Sequence, residues 1–322
     1  MDDLQVKAHA AGVALKKKNS FGARLFKSRI LLLMCTPAIL FFLVFAYIPM
    51  PGAYVAFVNY VFSRGIFGSQ FVGFENFRFL LLSGDLVRLT ANTILYNLAF
   101  IFIGNIVQIF IALLLNELAS KWFKKLSQAI MFFPHFISYV LIGLFAYSIL
   151  NYDYGLLNKF LQSVGLAPLE VYSMPAAWPF IIIFTALWQG TGYGSIIYFA
   201  AIMGIESEIL EAATIDGANR LQRIRFVLLP CLKPTFIILV LFSLGGIMRG
   251  NFGLFYNLVG TSNSLLFKTT DIIDTYVFRS LTHENNFSIS SAAGLYQSVI
   301  GFVFVVTANW LVKKIEPEYS LF

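Results

Sequence analysis

The chain has 322 residues, of which 58% are hydrophobic and only 12% charged, and its mean hydropathy is strongly positive. A soluble domain of this length needs far more charged surface, so the composition excludes one and points to an integral membrane protein. The net charge of +7 does not call for nucleic acid, because the basic residues are distributed as a membrane topology distributes them.

Six apolar runs that place membrane spans follow in chain order. They are predicted at Ile30–Met50, Leu89–Leu118, Ser127–Leu150, Ala177–Gly204, Pro234–Arg249 and Ser291–Val312. Long spans without alternating polarity are helices rather than barrel strands, so the fold class is an all-α membrane protein. Pro49 and Pro51 end the first span, and the second exceeds the bilayer and must tilt or protrude. The first span has basic flanks, but it is too long for a signal peptide's apolar region and lacks a small-residue cleavage site. It reads as an uncleaved anchor. The expected organisation is a tail over 1–29 and a transmembrane domain over 30–322.

Basic residues orient the bundle. Lys16, Lys17, Lys18, Arg24, Lys27 and Arg29 precede the first span, and Lys121, Lys124 and Lys125 join the second to the third. Arg220, Arg223 and Arg225 follow the fourth, and Lys313 and Lys314 follow the sixth. With six spans all four groups share one side, which predicts cytoplasmic termini and a multi-pass membrane protein. Segments 51–88, 151–176 and 250–290 then face outward. Their aromatics, glycines and asparagines, as in Phe71-Val72-Gly73-Phe74-Glu75-Asn76-Phe77, suggest packed lobes rather than linkers. Cys35 and Cys231 read as two small buried side chains with no disulfide or zinc partner. His9, His135 and His283 have no metal-ligand spacing, and nothing calls for a cofactor.

Between the fourth and fifth spans stands a charged island that must lie outside the lipid. Glu206, Glu208 and Glu211 come first and the three arginines last, an order that complements the dipole of a helix or of two short successive helices. Gly217 is the expected break, and Pro230 is expected to close the second helix. Ala212 and Ala213 permit close approach of a partner. Glu211 and Asp216 offer carboxylates for contact or for capping. The residues alone leave open whether this knob lies on the lipid surface or docks on a soluble partner.

Polar residues inside the spans need a wet or protein environment. In the second span they are Asn92, Tyr96, Asn97, Asn105 and Gln108, and in the fourth they sit in Trp188-Gln189-Gly190-Thr191-Gly192-Tyr193-Gly194. Rings and amides suit sugars, giving apolar faces and hydrogen bonds to hydroxyls, while three close glycines equally suit tight helix packing. Both readings stand for Trp188, Gln189 and Tyr193. Glu117 and Lys121 are expected to pair at i,i+4.

The string Glu211-Ala212-Ala213, Asp216-Gly217-Ala218, Phe226 and Leu229-Pro230 resembles the cytoplasmic coupling loop of permease subunits in binding-protein-dependent ABC importers. Phe132-Phe133-Pro134-His135-Phe136-Ile137-Ser138, Trp188-Gln189-Gly190, Gly194-Ser195-Ile196-Ile197-Tyr198 and Asp271-Ile272-Ile273-Asp274-Thr275-Tyr276 resemble the carbohydrate branch of that family, in particular oligo- and polysaccharide permeases of the alginate-importer type. The resemblance implies the type I importer permease fold, with the coupling loop at about 205–230. It also implies a second permease subunit forming a heterodimer, two cytoplasmic ATPase subunits, an extracytoplasmic substrate-binding protein and a saccharide substrate. Glu211, Ala212, Ala213, Asp216, Gly217 and Ala218 would then couple to the ATPases. The chain has no phosphate-binding G-x-x-x-x-G-K-[ST] loop, so ATP hydrolysis is expected on the separate subunits.

Two other classes compete. An ion-coupled secondary transporter predicts ionisable residues at mid-membrane, and the predicted spans hold almost none. An intramembrane enzyme needs paired acids or a histidine–carboxylate motif within a span, and no such constellation occurs.

Overall fold

The computed structural model describes residues 28–315. The basic run from Lys16 to Lys27 lies outside the described residues, with most of the expected N-terminal tail. Two compact units emerge, Met1–Ala53 and Tyr54–Phe322.

In the first unit, α1 (Arg29–Phe42) passes into a π turn at Leu43–Tyr47, where the Ile48 amide donates to the Leu43 carbonyl at 3.0 Å. Pro49 lacks an amide hydrogen, so the regular ladder stops where the sequence places the end of the first span.

The second unit opens with a short antiparallel hairpin. β1 (Val58–Asn59) and β2 (Gln70–Phe71) pair Val58 with Phe71 and Asn59 with Gln70. The Asn76 amide of α2 (Glu75–Leu82) donates to the carbonyls of Ala56 and Val58 at 2.9 and 3.1 Å, fastening α2 to the hairpin. Below them Ala56, Leu80, Leu89, Met248, Ile273 and Ala292 share one buried cluster, so this side is the packed lobe its composition suggests.

α3 (Asp85–Glu117) is 33 residues long and starts at Gly84, whose φ of +74° suits a residue without a Cβ. Its main partner is α7 (Trp178–Met203). Small residues let the two helices approach closely: Gly194 receives the Gln108 side chain, and Tyr198 donates its buried hydroxyl to Asn105.

The third predicted span is not one helix. α4 (Lys121–Phe132) and α5 (Tyr139–Leu150) meet at a 94° bend. Pro134 ends the first helix in a 3-10 turn over Phe133–Phe136, and the Ser138 hydroxyl caps the second by accepting from the Leu141 amide. Lys124 of α4 lies over Phe199, near one end of α7, while Tyr147 of α5 meets Tyr172, beyond the other. The bent pair therefore runs along the length of α7, and counted as one broken span it brings the candidate crossings among the described residues from five to six. α6 (Leu156–Ser163) packs against α5.

α8 (Ser207–Ile215) and α9 (Arg220–Leu244) carry the charged island. Pro230 does not close a helix, contrary to expectation. A π turn at Ile224–Leu228, with the Leu229 amide donating to the Ile224 carbonyl, relieves the ladder just before the proline, and α9 runs on through Pro234. The fifth span is thus the continuation of the arginine-bearing helix. Arg220, Arg223 and Arg225 stand at its N-terminal end, where the dipole opposes them, so the arginine half of the expected complementarity is corrected, while Glu208 in the first turn of α8 fits it. The Glu117–Lys121 pair does not form as expected either. α3 ends at Glu117, the backbone turns extended at Leu118, and Glu117 Oε2 lies 3.7 Å from Arg220 Nε.

α10 (Phe252–Val259), α11 (Ile273–Thr282) and α12 (Phe287–Ile315) complete the unit. Cys35 and Cys231 are free and exposed, not buried. In a lipid-facing chain an apolar thiol needs no protein core to leave water.

Candidate functional site

The bend between α4 and α5 is seated against the glycines of α7. A Cβ added at Gly192 would overlap the Met131 carbonyl and fall 2.8 Å from the Phe132 amide nitrogen, so only glycine admits this backbone contact. One turn away, the Gln189 side chain donates to the Ile137 carbonyl at 3.0 Å, satisfying a group that the broken helix leaves open. The His135 and Tyr193 rings stack at 4.8 Å, 11° from parallel.

Two cavities adjoin this contact. The larger, about 540 Å³, is lined by Gln108, His135, Ser138, Tyr139, Gln189 and Asn251 among others. The second, about 430 Å³, is lined by Asn97, Asn105, Gln108, Tyr193 and Ser243 together with apolar residues. Phe100, Gln108 and Gly190 wall both. No Asp, Glu, Lys or Arg lines either one. Such walls offer amide and hydroxyl hydrogen bonds and ring faces, the chemistry that holds a polyhydroxylated neutral surface.

The structure brings some of the predicted path residues together and separates others. Asn97, Gln189 and Tyr193 line the cavities. Asn97 also donates to the Thr93, Ile247 and Arg249 carbonyls at 2.9, 3.0 and 3.1 Å, tying α3 to the end of the fifth span. Asn92 donates to the Lys268 and Asp271 carbonyls at 3.2 and 2.9 Å, and the Tyr96 hydroxyl to the Thr269 carbonyl at 2.7 Å. These two side chains pin the loop before α11, and interhelical bonds of this kind are worth about 0.6 kcal/mol each on average. Trp188, 42% exposed, turns away from Gln189 and lines a separate apolar cavity of about 450 Å³ with Ile130, Pro134 and Phe184.

The cations near the lobe are largely spoken for. Arg279 grips Asp271 with two hydrogen bonds of 3.1 and 2.7 Å, stacks over Phe267 at 4.0 Å, and leaves Asp271 with 1% of its side chain exposed. Thr275 donates to the same carboxylate, and Arg88 reaches it at 3.9 Å while bonding Asp85 at 2.7 Å. Arg249 and Lys268 remain exposed. Burial pushes the Asp274 carboxyl up from its ordinary value, opposed by hydrogen bonds from the Gly250 amide and Gln297 and by the charge of Arg249.

In the charged island, Gly217 has φ +79° and ends α8 in a paired turn: its amide donates to Thr214 and that of Ala218 to Ala213. The next helix is capped by Asn219 and Gln222, each side chain bonding the other's backbone, so of the two roles open to Asp216, contact or capping, this cap is not its own. Glu211, Ala212, Asp216 and Gly217 are exposed, and Ala213 and Ala218 are half-buried in the turn. Ile215, Leu221 and Phe226 expose apolar side chains beside them.

Sequence reasoning did not select His135, Tyr139 or Asn251 for the path. The available signal was Pro134 and Ser138 inside an apolar run, which mark a break where polar side chains can gather.

Comparison with known proteins agrees with this architecture. Residues 104–317 match the family described as binding-protein-dependent transport system inner membrane component. Protein LplB of Bacillus subtilis is 31% identical over 99% of both chains. The polygalacturonan/rhamnogalacturonan transport system permease protein YteP of the same organism is 32% identical over 94% of both. A chain of a bacterial alginate ABC transporter, solved in complex with a periplasmic protein bound to alginate pentasaccharide, superposes with a TM-score of 0.81 at 32% identity, covering 91% of this chain and 96% of that one. The fold is that of an ABC importer permease, and the chain belongs to the family of inner membrane components of binding-protein-dependent transport systems.

Proposed function

We propose that this chain is the pore-forming permease subunit of an ATP-driven importer for oligosaccharides, acidic ones of the alginate type included. The observation that carries the saccharide reading is the pair of adjoining cavities walled by amides, hydroxyls and rings with no Asp, Glu, Lys or Arg. Ion-coupled transporters characteristically place a carboxylate, lysine or arginine in such a path, and neither cavity has one. Asn97, Gln189 and Tyr193 lie along the path. Asn92 and Tyr96 hold its wall, and Trp188 packs beside it. Similarity to permeases of polygalacturonan and alginate systems, together with the exposed Arg249 and Lys268, supports an acidic cargo.

The remaining partners follow from the same reading. A second permease subunit completes the pore, a binding protein delivers cargo from outside, and two ATPases receive the knob at 205–230, with both termini cytoplasmic. Glu211, Asp216 and the apolar side chains around them make the ATPase contact, and Gly217 shapes it. Hydrolysis occurs on the ATPases and not on this chain. ATP-driven closure of the ATPase pair moves the knob. Because α9 continues from the knob into the membrane without a break, that motion passes directly to the fifth span.

Uptake by the reconstituted complex, measured with uronate and neutral oligosaccharides of equal length, tests the cargo. Preference for the uronate is expected. Equal uptake of both would remove the acidic preference, and uptake of neither would remove the saccharide reading.

A further inference from the structure

We propose that the stacked rings of His135 and Tyr193 are the gate of the path, an inference that rests on the permease reading above. His135 lines the larger cavity and Tyr193 the smaller, and the rings touch at 4.8 Å, so their contact stands at the division between the two spaces. Along α7 the larger cavity takes residues from Ala186 to Thr191 and the smaller from Gly190 to Ile197. The rings therefore separate an outer chamber from an inner one. The shared walls, Phe100, Gln108 and Gly190, form the rim of the opening. Gly190 leaves that rim bare, since an added Cβ would meet nothing within 4 Å.

The contact is built to open. His135 sits in the 3-10 turn between two helices and is exposed, and Tyr193 is 49% exposed. Pro134 anchors the turn where it packs on α7, and the His135 side of it is held there by the ring stack and by the bond from Gln189 to Ile137. The stack and the bond are each individually weak. The foot of the segment, at Met131 and Phe132, is fixed by backbone packing on Gly192. The exposed imidazole can rotate away from Tyr193 while Pro134 and α4 stay seated. Closed, the rings cover each other; open, each presents a face to the apolar side of a sugar ring, so the cargo replaces the contact it breaks.

The test uses the full complex in proteoliposomes, with Cys35 and Cys231 changed to serine and a saccharide gradient as the driving force. His135→Ala should leak saccharide without ATP, whereas His135→Phe, which keeps a stacking ring, should stay tight and transport. The double variant His135→Cys with Tyr193→Cys should leak, stop both leak and uptake when bridged by a short bifunctional methanethiosulfonate, and leak again after reduction. Tight His135→Ala and Tyr193→Ala variants, or a bridged protein that transports as fast as the unbridged one, would overturn the gate. Failure of the native complex to take up any saccharide would overturn the saccharide reading and the gate together.

Discussion

Gly192 of α7 and Met131 of α4 meet backbone to backbone, at a separation that excludes even one additional methyl group. This contact positions the turn that carries His135 and Ser138, and so shapes both cavities from a place that faces neither side chain. Gly190, two residues earlier, has open space where Gly192 has none.

The two glycines should therefore respond oppositely. Gly192→Ala should overpack the helix pair and destabilise by about 1–3 kcal/mol, seen as a lower melting temperature and reduced yield of the detergent-purified complex. Gly190→Leu should leave melting unchanged and impair uptake, because its side chain enters the rim. Identical melting of Gly192→Ala and native protein would refute the close approach.

The Asp271–Arg279 pair should be structural. Removing one partner of a buried ion pair costs about 3–5 kcal/mol, so Asp271→Asn should lower the melting temperature strongly. Asp85→Asn, which affects a half-exposed pair with Arg88, should do far less. Equal melting of the two variants would contradict the burial of Asp271.

Topology has a direct readout. In a background with Cys35 and Cys231 changed to serine, Gly68→Cys and Asn263→Cys should react with an impermeant thiol reagent in intact cells, and Asn219→Cys should not. Reaction at Asn219 would mean that the bent pair α4–α5 returns to the side it left and that the two ends of the chain face opposite sides.

At the knob, Gly217→Pro cannot adopt φ +79° and loses the amide that bonds Thr214, while Asp216→Lys reverses an exposed charge. Both should insert normally and lose ATPase on co-purification. Full retention of ATPase by both would show that this loop is not the docking element.

Much of this architecture was legible in the sequence because the strongest signals are local. The apolar lengths of α3, α7 and α12, and the Gly217 break, needed no tertiary information. Three features did. Pro230 in the string points to a stop, but a π turn upstream absorbs it, and nothing in the residue string announces that turn. The order of charges assigns the arginines to the end of a short helix, whereas they begin a long one, so their relation to the dipole is reversed. Spacing pairs Glu117 with Lys121 within one helix, but the helix ends at Glu117 and Arg220 arrives from elsewhere in the chain. In the site, amide and aromatic composition identified Gln189 and Tyr193. Only the fold could separate Trp188 from them, bind Asn92 and Tyr96 to backbone carbonyls, and bring His135 onto Tyr193.

The central claim is that ATP hydrolysis on partner subunits drives saccharide through this chain. Proteoliposomes containing the permeases and ATPases, loaded with ATP inside and supplied outside with binding protein and labelled oligosaccharide, measure it most directly. Uptake is expected to persist when ionophores collapse all ion gradients, and to vanish when the phosphate-binding lysine of the ATPases is replaced. Uptake that survives that replacement and disappears with the ionophores would contradict the account.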